Sequence, residues 1–417
     1  MAASPRPALG RNYVFLTSGE VVSKVMAVAS FMYLGRVLGP ERYGNLEFTL
    51  AAMVFFTLPV DFGLADYGAR EMARGCRSPA DLLSQVPGLR LLLAFCSFSA
   101  LLVFVSLLNR SAELKPLFLL YGLSLFGAPA LLQWFFQGRD QMHLVAVISV
   151  VRQGVFTAMV FALVRSGLPL HRIGIAECAS VLAAGVACVF ILRGRLKVPL
   201  PPLTLRPSRL AGALSEALPI GFAQLAWAFQ WYFATVLLGW LAPGEAVGWF
   251  GASHRVLTSL HTFVWLYFIN LLPSISRTAA QPGPELRRLI ARSLTISGWS
   301  AVFVAIVIAV FAPELLRLLY GAKFAGAERV LRLLVWMLPI AMAGGHYRYI
   351  LIGYGRRWLL MKSMGTAATA AAVTAAVLIP RWGAQGAAAA LLTAGVVECV
   401  LSYSFVRLSV VRPRGLE

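Results

Sequence analysis

The sequence predicts an all-helical, polytopic membrane protein of about twelve transmembrane helices in two pseudo-symmetric sets of six. Three observations carry that prediction. Of 417 residues, 59% are apolar and only 13% charged, about half the charge of a soluble domain; the mean hydropathy is +0.76. The apolar residues gather into runs of ~20, the length a helix needs to cross a ~30 Å hydrocarbon core. Short glycine-bearing motifs recur six runs apart, so the two halves cross the membrane in the same direction, as a parallel repeat.

The elements follow in order. Met1 to Arg11 is short, basic and rich in Pro and Ala. The run behind it, 12–36, holds Glu20 and Lys24 and lacks a small-residue cleavage site, so it reads as a retained first helix. Leu38-Gly39-Pro40 turns the chain into the second run, 44–66. Runs 88–108, 116–137, 142–165 and 171–193 follow through short connections, the fourth closing on Phe136-Gln137-Gly138-Arg139. The longest connection, Arg193 to Gly212, carries Pro199, Pro201, Pro202 and Pro207 with five basic residues. Proline stops a helix and stiffens an extended linker. The reading is a first lobe over 1–193, a linker over 194–212 and a second lobe over 213–417.

The second lobe repeats the pattern in runs 213–241, 245–273, 289–312, 328–353, 358–380 and 384–408. Leu241-Ala242-Pro243-Gly244 to Gly248 answers Leu38-Gly39-Pro40 to Gly44, and Gly353-Tyr354-Gly355-Arg356 answers the close of run four. Gly365-Thr366-Ala367-Ala368 and Gly386-Ala387-Ala388-Ala389 make the last two helices thin, which lets helices approach closely in lipid.

Lys and Arg number 37 against 17 Asp and Glu, a net charge of +20. In a soluble chain that excess would suggest nucleic acid; here it sits in short loops, so no nucleic-acid partner is expected. With both termini in the cytoplasm, 22 basic residues fall inside, 11 outside, and Lys24, Arg152, Arg255 and Arg348 within spans. That bias predicts a bacterial inner membrane protein. Arg317, Lys323, Arg329 and Arg332 oppose it. The five cysteines show no CxxC spacing, and no GxxxxGK[ST] motif is present, so neither a zinc site, another cofactor nor nucleotide hydrolysis is expected.

Gly35-Arg36-Val37-Leu38-Gly39-Pro40-Glu41-Arg42-Tyr43-Gly44, then Asp61-Phe62-Gly63-Leu64 and Gly68-Ala69-Arg70-Glu71, resembles the N-terminal signature of the polysaccharide flippases. These share a superfamily with multidrug extruders and lipid II flippases. The resemblance covers the first seventy residues well and the rest in helix count and hydropathy. It implies two six-helix lobes in a V around a central cavity. It also implies a cargo, an undecaprenyl-diphosphate-linked oligosaccharide turned from the inner to the outer leaflet during surface polysaccharide synthesis, with membrane lipids, a polymerase and chain-length proteins as partners. Gly39 and Pro40 would fix a gate turn, and Asp61 would either close a cytoplasmic gate or cap the segment 68–75.

Charges inside spans need a partner or a wet cavity. Arg152, Arg255 and Arg348 have no acid within one helical turn, and Arg presents a planar fork suited to phosphate. With Lys24 they are the expected diphosphate ligands; the bland alternative is snorkelling or bonding to helix-end carbonyls. Glu20 and Lys24 are four apart and could neutralise one another. Glu20, Glu177 and Glu398 are the candidates to carry a coupling proton or sodium ion. His254, Thr258 and His261 share a helix face; no carboxylate or cysteine completes a metal site there, so they read as a polar, titratable, cavity-facing stripe that contacts substrate. Gln224, Trp227 and Trp231 form a similar stripe, candidate sugar contacts or packing residues. Glu47 is expected to offset Arg42, and Glu216 to pair with the linker arginines.

Three rival functions remain. A polysaccharide polymerase or ligase wants catalytic groups on a long outer loop, and every outer loop here is short. A multidrug extruder of cationic drugs wants an acidic cavity. A lipid II flippase typically carries two further helices. The chain therefore reads as a transporter, not an enzyme, run by an ion gradient or the membrane potential.

Overall fold

The structure is a computed structural model that describes residues 7–75, 77–108, 113–205, 207–242, 244–279 and 284–408. The basic residues Arg6, Arg110, Arg206, Arg412 and Arg414, and Pro243 of the second turn motif, lie outside the described residues. The described elements are helical throughout.

Nine stretches among the described residues are long and apolar enough to cross a membrane, of which two run to 57 and 49 residues. At 1.5 Å per residue such lengths would reach ~75–85 Å, far beyond a ~30 Å core. Both are broken at a glycine. Helix α1 (Pro7–Asp61) kinks at Gly39, φ 72° and ψ 172°, and α14 (Arg357–Val406) at Gly383, φ 52° and ψ −123°. Both conformations are open to glycine and costly to any side chain with a Cβ. At the second kink the chain folds back so tightly that a Cβ on Gly386 would lie 2.4 Å from the Leu378 carbonyl oxygen. Helix α8 (Pro207–Leu241) is 35 residues long but is not among the nine stretches. Gln224, Gln230 and its tryptophans lower its mean hydropathy.

The chain packs as two units, one of residues 1–38 and 52–225, the other of 39–51 and 226–417. This is not the division by chain order.

In the first unit α2 (Leu64–Arg74) lies on α5 (Gln133–Gly138), and α6 (Met142–Leu163) and α4 (Leu114–Leu123) pack on α7 (His171–Phe190). Leu64, Tyr67, Val86, Trp134, Phe135, Phe136, Leu192 and Ala217 form its core. The expected straight run 116–137 is interrupted. Ser124–Ala130 is a 3-10 turn containing Pro129, whose missing N–H breaks the α-helical ladder between α4 and α5. The proline-rich stretch after α7 is not a free tether. Thr204 N donates to Ser84 O of α3 (Pro79–Leu107) at 3.1 Å, and Ser84 Oγ donates to Pro202 O at 2.7 Å. These bonds place the connection, with the start of α8, in the first unit.

In the second unit α9 (Glu245–Ala279) packs on α12 (Ala327–Leu334), α13 (Met337–Gly353) and α14, and α10 (Pro284–Val310) packs on α13. Residues 39–51 belong here because their backbone meets that of α9. A Cβ on Gly44 would fall 2.7 Å from Gly244 O, and one on Gly248 would fall 2.0 Å from Pro40 O. The two turn motifs that the sequence shows as repeats therefore pack on one another. Without apolar burial to drive them in lipid, helices gain their contact energy from such close approach. The basic residues that oppose the charge bias fall on α11 (Ala312–Tyr320), the turn after it, and α12. Arg332 there pairs with Glu328 at 2.7 Å and donates to Ala309 O at 3.0 Å, near the C-terminus of α10.

Candidate functional site

In the second unit the kink at Gly39 and Pro40 starts a helical segment that carries Glu47. Arg255 Nε lies 2.7 Å from Glu47 Oε1 and its Nη2 3.3 Å from Oε2, a two-pronged pair. The Glu47 side chain is 7% exposed and Arg255 30%. Gly251, one turn before Arg255, makes room: a Cβ there would lie 2.4 Å from Glu47 Cγ. Tyr43 packs its ring 5.6 Å from that of Tyr320. Glu47 thus serves Arg255, a partner the sequence reading did not name. Five residues of helix turn a side chain ~140° away, so Arg42 and Glu47 lie on different faces.

The second pair joins α13 to α14. Arg348 Nε stands 3.0 Å from Glu398 Oε1, and Gln230 Nε2 of α8 donates to Glu398 Oε2 at 3.0 Å. Glu398 and Gln230 are buried, while the Arg348 side chain is 23% exposed. Around these pairs lies an aromatic group. Trp231 has its ring 4.6 Å from His261 and 6.0 Å from His254, and Trp227 lies 6.4 Å from Trp231. His254 stacks on Phe250 and is buried; Trp227 is exposed. The α9 stripe and the two tryptophans are therefore one cluster. Gln224 is apart from it, in the first unit, where it donates to Asp66 Oδ2 at 3.1 Å.

In the first unit Arg152 Nη2 lies 2.8 Å from Glu177 Oε1. Asp61 is bonded to Arg90, whose Nη1 also donates to Leu131 O at 2.9 Å, and Asp61 Oδ1 accepts from Ala65 N at 3.2 Å. Asp61 thus caps the start of α2 and ties it to α3. Glu216 pairs with Arg70 at 2.8 Å and Arg77 at 3.8 Å; of the linker arginines expected beside it, Arg206 lies outside the described residues. Lys24 is exposed and Glu20 half-buried. Although four residues apart, they form no ion pair among the described residues.

The three span arginines, expected to be unpaired, each meet a carboxylate. The partners stand 25, 208 and 50 residues away in sequence, beyond any search within one helical turn. Pairing cancels charge but not hydrogen-bonding capacity. A guanidinium offers about five N–H donors, and Glu47 uses two of them on Arg255. The Arg255 side chain keeps part of its surface.

Sequence reasoning also missed a trio around the buried His346. His346 Nδ1 lies 2.8 Å from Met342 O, which fixes its proton there and leaves Nε2 as acceptor. Ser293 Oγ stands 3.0 Å from Nε2 and is itself bonded to Tyr267 OH. The signal available was a lone histidine in an apolar run, which must find partners in lipid.

A model of the polysaccharide biosynthesis protein family matches residues 9–279. The "Putative O-antigen transporter" of Escherichia coli (strain K12) is 20% identical over 334 residues, 78% of this chain and 79% of that protein. Among solved structures, the inward-closed form of the lipid II flippase MurJ superposes with a TM-score of 0.75 at 13% identity, covering 94% of this chain and 87% of its own. The inward-facing form of a MATE-family multidrug resistance transporter of the MOP superfamily gives 0.73 at 16% identity, over 93% and 94%. At such identities these two likenesses concern the fold.

Proposed function

Because the chain belongs to the polysaccharide biosynthesis protein family, we propose that it is a flippase, a multi-pass transporter that turns an undecaprenyl-diphosphate-linked oligosaccharide from the cytoplasmic to the outer leaflet. The observation that carries the reading is the pair of half-exposed guanidiniums, Arg255 and Arg348, each backed by a buried carboxylate. The carboxylate holds the fork in place and lowers the cost of a cation in the membrane. A guanidinium that is held in place and keeps part of its surface suits a ligand rich in acceptor oxygens, as a diphosphate is. Trp227, Trp231, His254 and His261 supply flat faces and ring nitrogens beside it, suited to sugars. Arg152, Lys24 and Gln224 are the substrate contacts proposed within the first unit.

Alternating access would work through the turn at Gly39 and Pro40, whose segment 39–51 packs on α9 although it belongs by sequence to the first repeat. Asp61, at the other end of that helix, is the proposed second gate residue. Of the three acids proposed for ion coupling, Glu177 and Glu398 are engaged by arginines, and Glu20 alone has no ion-pair partner among the described residues. Were a proton or sodium ion to drive transport, Glu20 is therefore the acid proposed to carry it. The basic-residue bias supports placement in a bacterial inner membrane with both termini in the cytoplasm. A polymerase and chain-length proteins would act on the delivered cargo.

The test is a flipping assay in vesicles with lipid-linked oligosaccharide, lipid II and a cationic drug offered separately. Arg255→Ala and Arg348→Ala are expected each to lower oligosaccharide flipping at least tenfold, the loss of about one charge-assisted hydrogen bond or more. Wild-type rates in both would remove the diphosphate site. Transport of the drug alone would move the chain to the extruder class, and transport of lipid II alone to the lipid II flippase class.

A further inference from the structure

The first unit carries a groove that the flipping reading does not use. It encloses about 600 Å³ between the 3-10 turn Ser124–Ala130 and α7, and Gly127, Ala130, Val181, Leu182, Val186 and Phe190 are among its walls. Its floor is a close approach of the 3-10 turn and α7. A Cβ on Gly127 would lie 2.4 Å from Val181 Cγ1, and one on Gly185 would lie 2.9 Å from Ala130 Cβ. Leu182, Val186 and Phe190 are 60–75% exposed, so the groove opens outward from the unit. Arg193 and Gly194, in the helical turn Ile191–Arg195 that closes α7, form its far end. A Cβ on Gly194 would meet nothing within 4 Å, so that end is open. Arg193 and Arg195 are exposed and have no ion-pair partner among the described residues, and Lys197 follows on the same stretch.

The groove has polarity and length. From Val181 to Gly194 it follows α7 for ~20 Å at 1.5 Å per residue. Half of a ~30 Å core is ~15 Å, so with Arg193 at the phosphate level a groove of this length would reach about mid-bilayer. It is apolar along α7 and cationic at the Arg193 end. A polyprenyl chain, longer than one leaflet is deep, would overrun it, and a partner helix would leave Arg193 without an anion.

We propose that this groove is a binding site for one anionic phospholipid, with an acyl chain seated between the 3-10 turn and α7 and the phosphate held by Arg193. The small residues of the floor admit the chain, and the guanidinium selects the headgroup. Each basic residue near the membrane surface favours an anionic lipid about fivefold. The site is independent of the flipping reading, because it involves none of the residues assigned there.

Native mass spectrometry of the full chain released from nanodiscs of equal phosphatidylglycerol and phosphatidylcholine tests it. The wild type is expected to retain one phosphatidylglycerol. Val186→Trp, at an exposed wall position, is expected to remove at least nine-tenths of it, roughly the tenfold loss a blocked subsite gives. Leu182→Trp repeats the test at a second exposed wall position should Val186→Trp fail to fold. Arg193→Gln is expected to keep a lipid but lose most of the headgroup preference, up to about fivefold. Retention unaffected by either tryptophan, or a preference unaffected by the arginine change, would overturn the site. So would displacement of the phosphatidylglycerol by equimolar undecaprenyl phosphate, which would give the groove to the cargo's tail.

Discussion

Arg255 and Glu47 are paired so that neither can be removed alone without harm. Truncating one partner of a buried pair leaves an uncompensated charge and costs about 3–5 kcal/mol. Glu47 is the more deeply buried, so Arg255→Ala is expected to lower the thermal midpoint more than Glu47→Gln, which leaves a neutral amide against a half-exposed cation. Arg255→Met with Glu47→Gln is expected to recover most of the stability and none of the flipping, because the lost stability belongs to the pair and the lost transport to the guanidinium. Thermal unfolding in detergent beside the vesicle assay separates the two, and recovery of flipping in the double variant would assign Arg255 to structure alone. The sequence made half of this legible. An arginine in an apolar run must be satisfied, and that much follows from composition. Its partner does not, because Glu47 meets it through a helix contact that only the folded chain defines. The same holds for Glu398, which was visible as an acid in a span while Gln230 behind it was not. The His346 trio needed three helices brought together, and nothing in the spacing of Tyr267, Ser293 and His346 announces it.

Among the elements, residues 39–51 depend most on what they touch. Gly248 stands so close that a Cβ would sit 2.0 Å from the Pro40 carbonyl oxygen, and a backbone atom cannot rotate away as a flexible side chain would. Gly248→Leu is expected to force this segment off α9 and to destabilise the protein by about 1–3 kcal/mol, the usual cost of overpacking. Since Glu47 rides on the segment, the variant should also lose the bond to Arg255 and with it flipping. Gly298→Leu on α10 is the control, because nothing lies within 4 Å of its Cβ, and it should leave the midpoint unchanged. Equal midpoints for the two variants would mean that the segment is held by something other than this contact. The Gly-Pro turn was legible because glycine and proline act on their own backbone. The break of α4 at Pro129 was less so, since proline inside apolar runs is also tolerated as a mild kink, and neighbours decide which outcome holds.

On the scale of the whole molecule, the two repeats read from the sequence and the two units found by packing differ by residues 39–51 and 194–225. Chain order follows duplication; packing follows contact, and the matching turns at Gly39 and Ala242 exchange the first of these segments into the second unit. The energy source is argued at the same scale. The proposed cargo is an anion carried from a negative interior to the outside, so the membrane potential alone favours the step. Moving one charge through 100 mV is worth ~2.3 kcal/mol, and a diphosphate headgroup with two charges gains about twice that. With the span arginines already neutralised by carboxylates, the carrier adds little counter-charge of its own, and the cargo's charge dominates what moves. Vesicles given an inside-negative potassium diffusion potential, with no proton or sodium gradient, are expected to flip lipid-linked oligosaccharide at least tenfold faster than unpolarised ones. Collapse of a proton gradient at clamped potential should change little, and Glu20→Gln should then be nearly silent. A rate indifferent to potential but abolished with the proton or sodium gradient would reverse this order, making Glu20 the site where the driving ion binds.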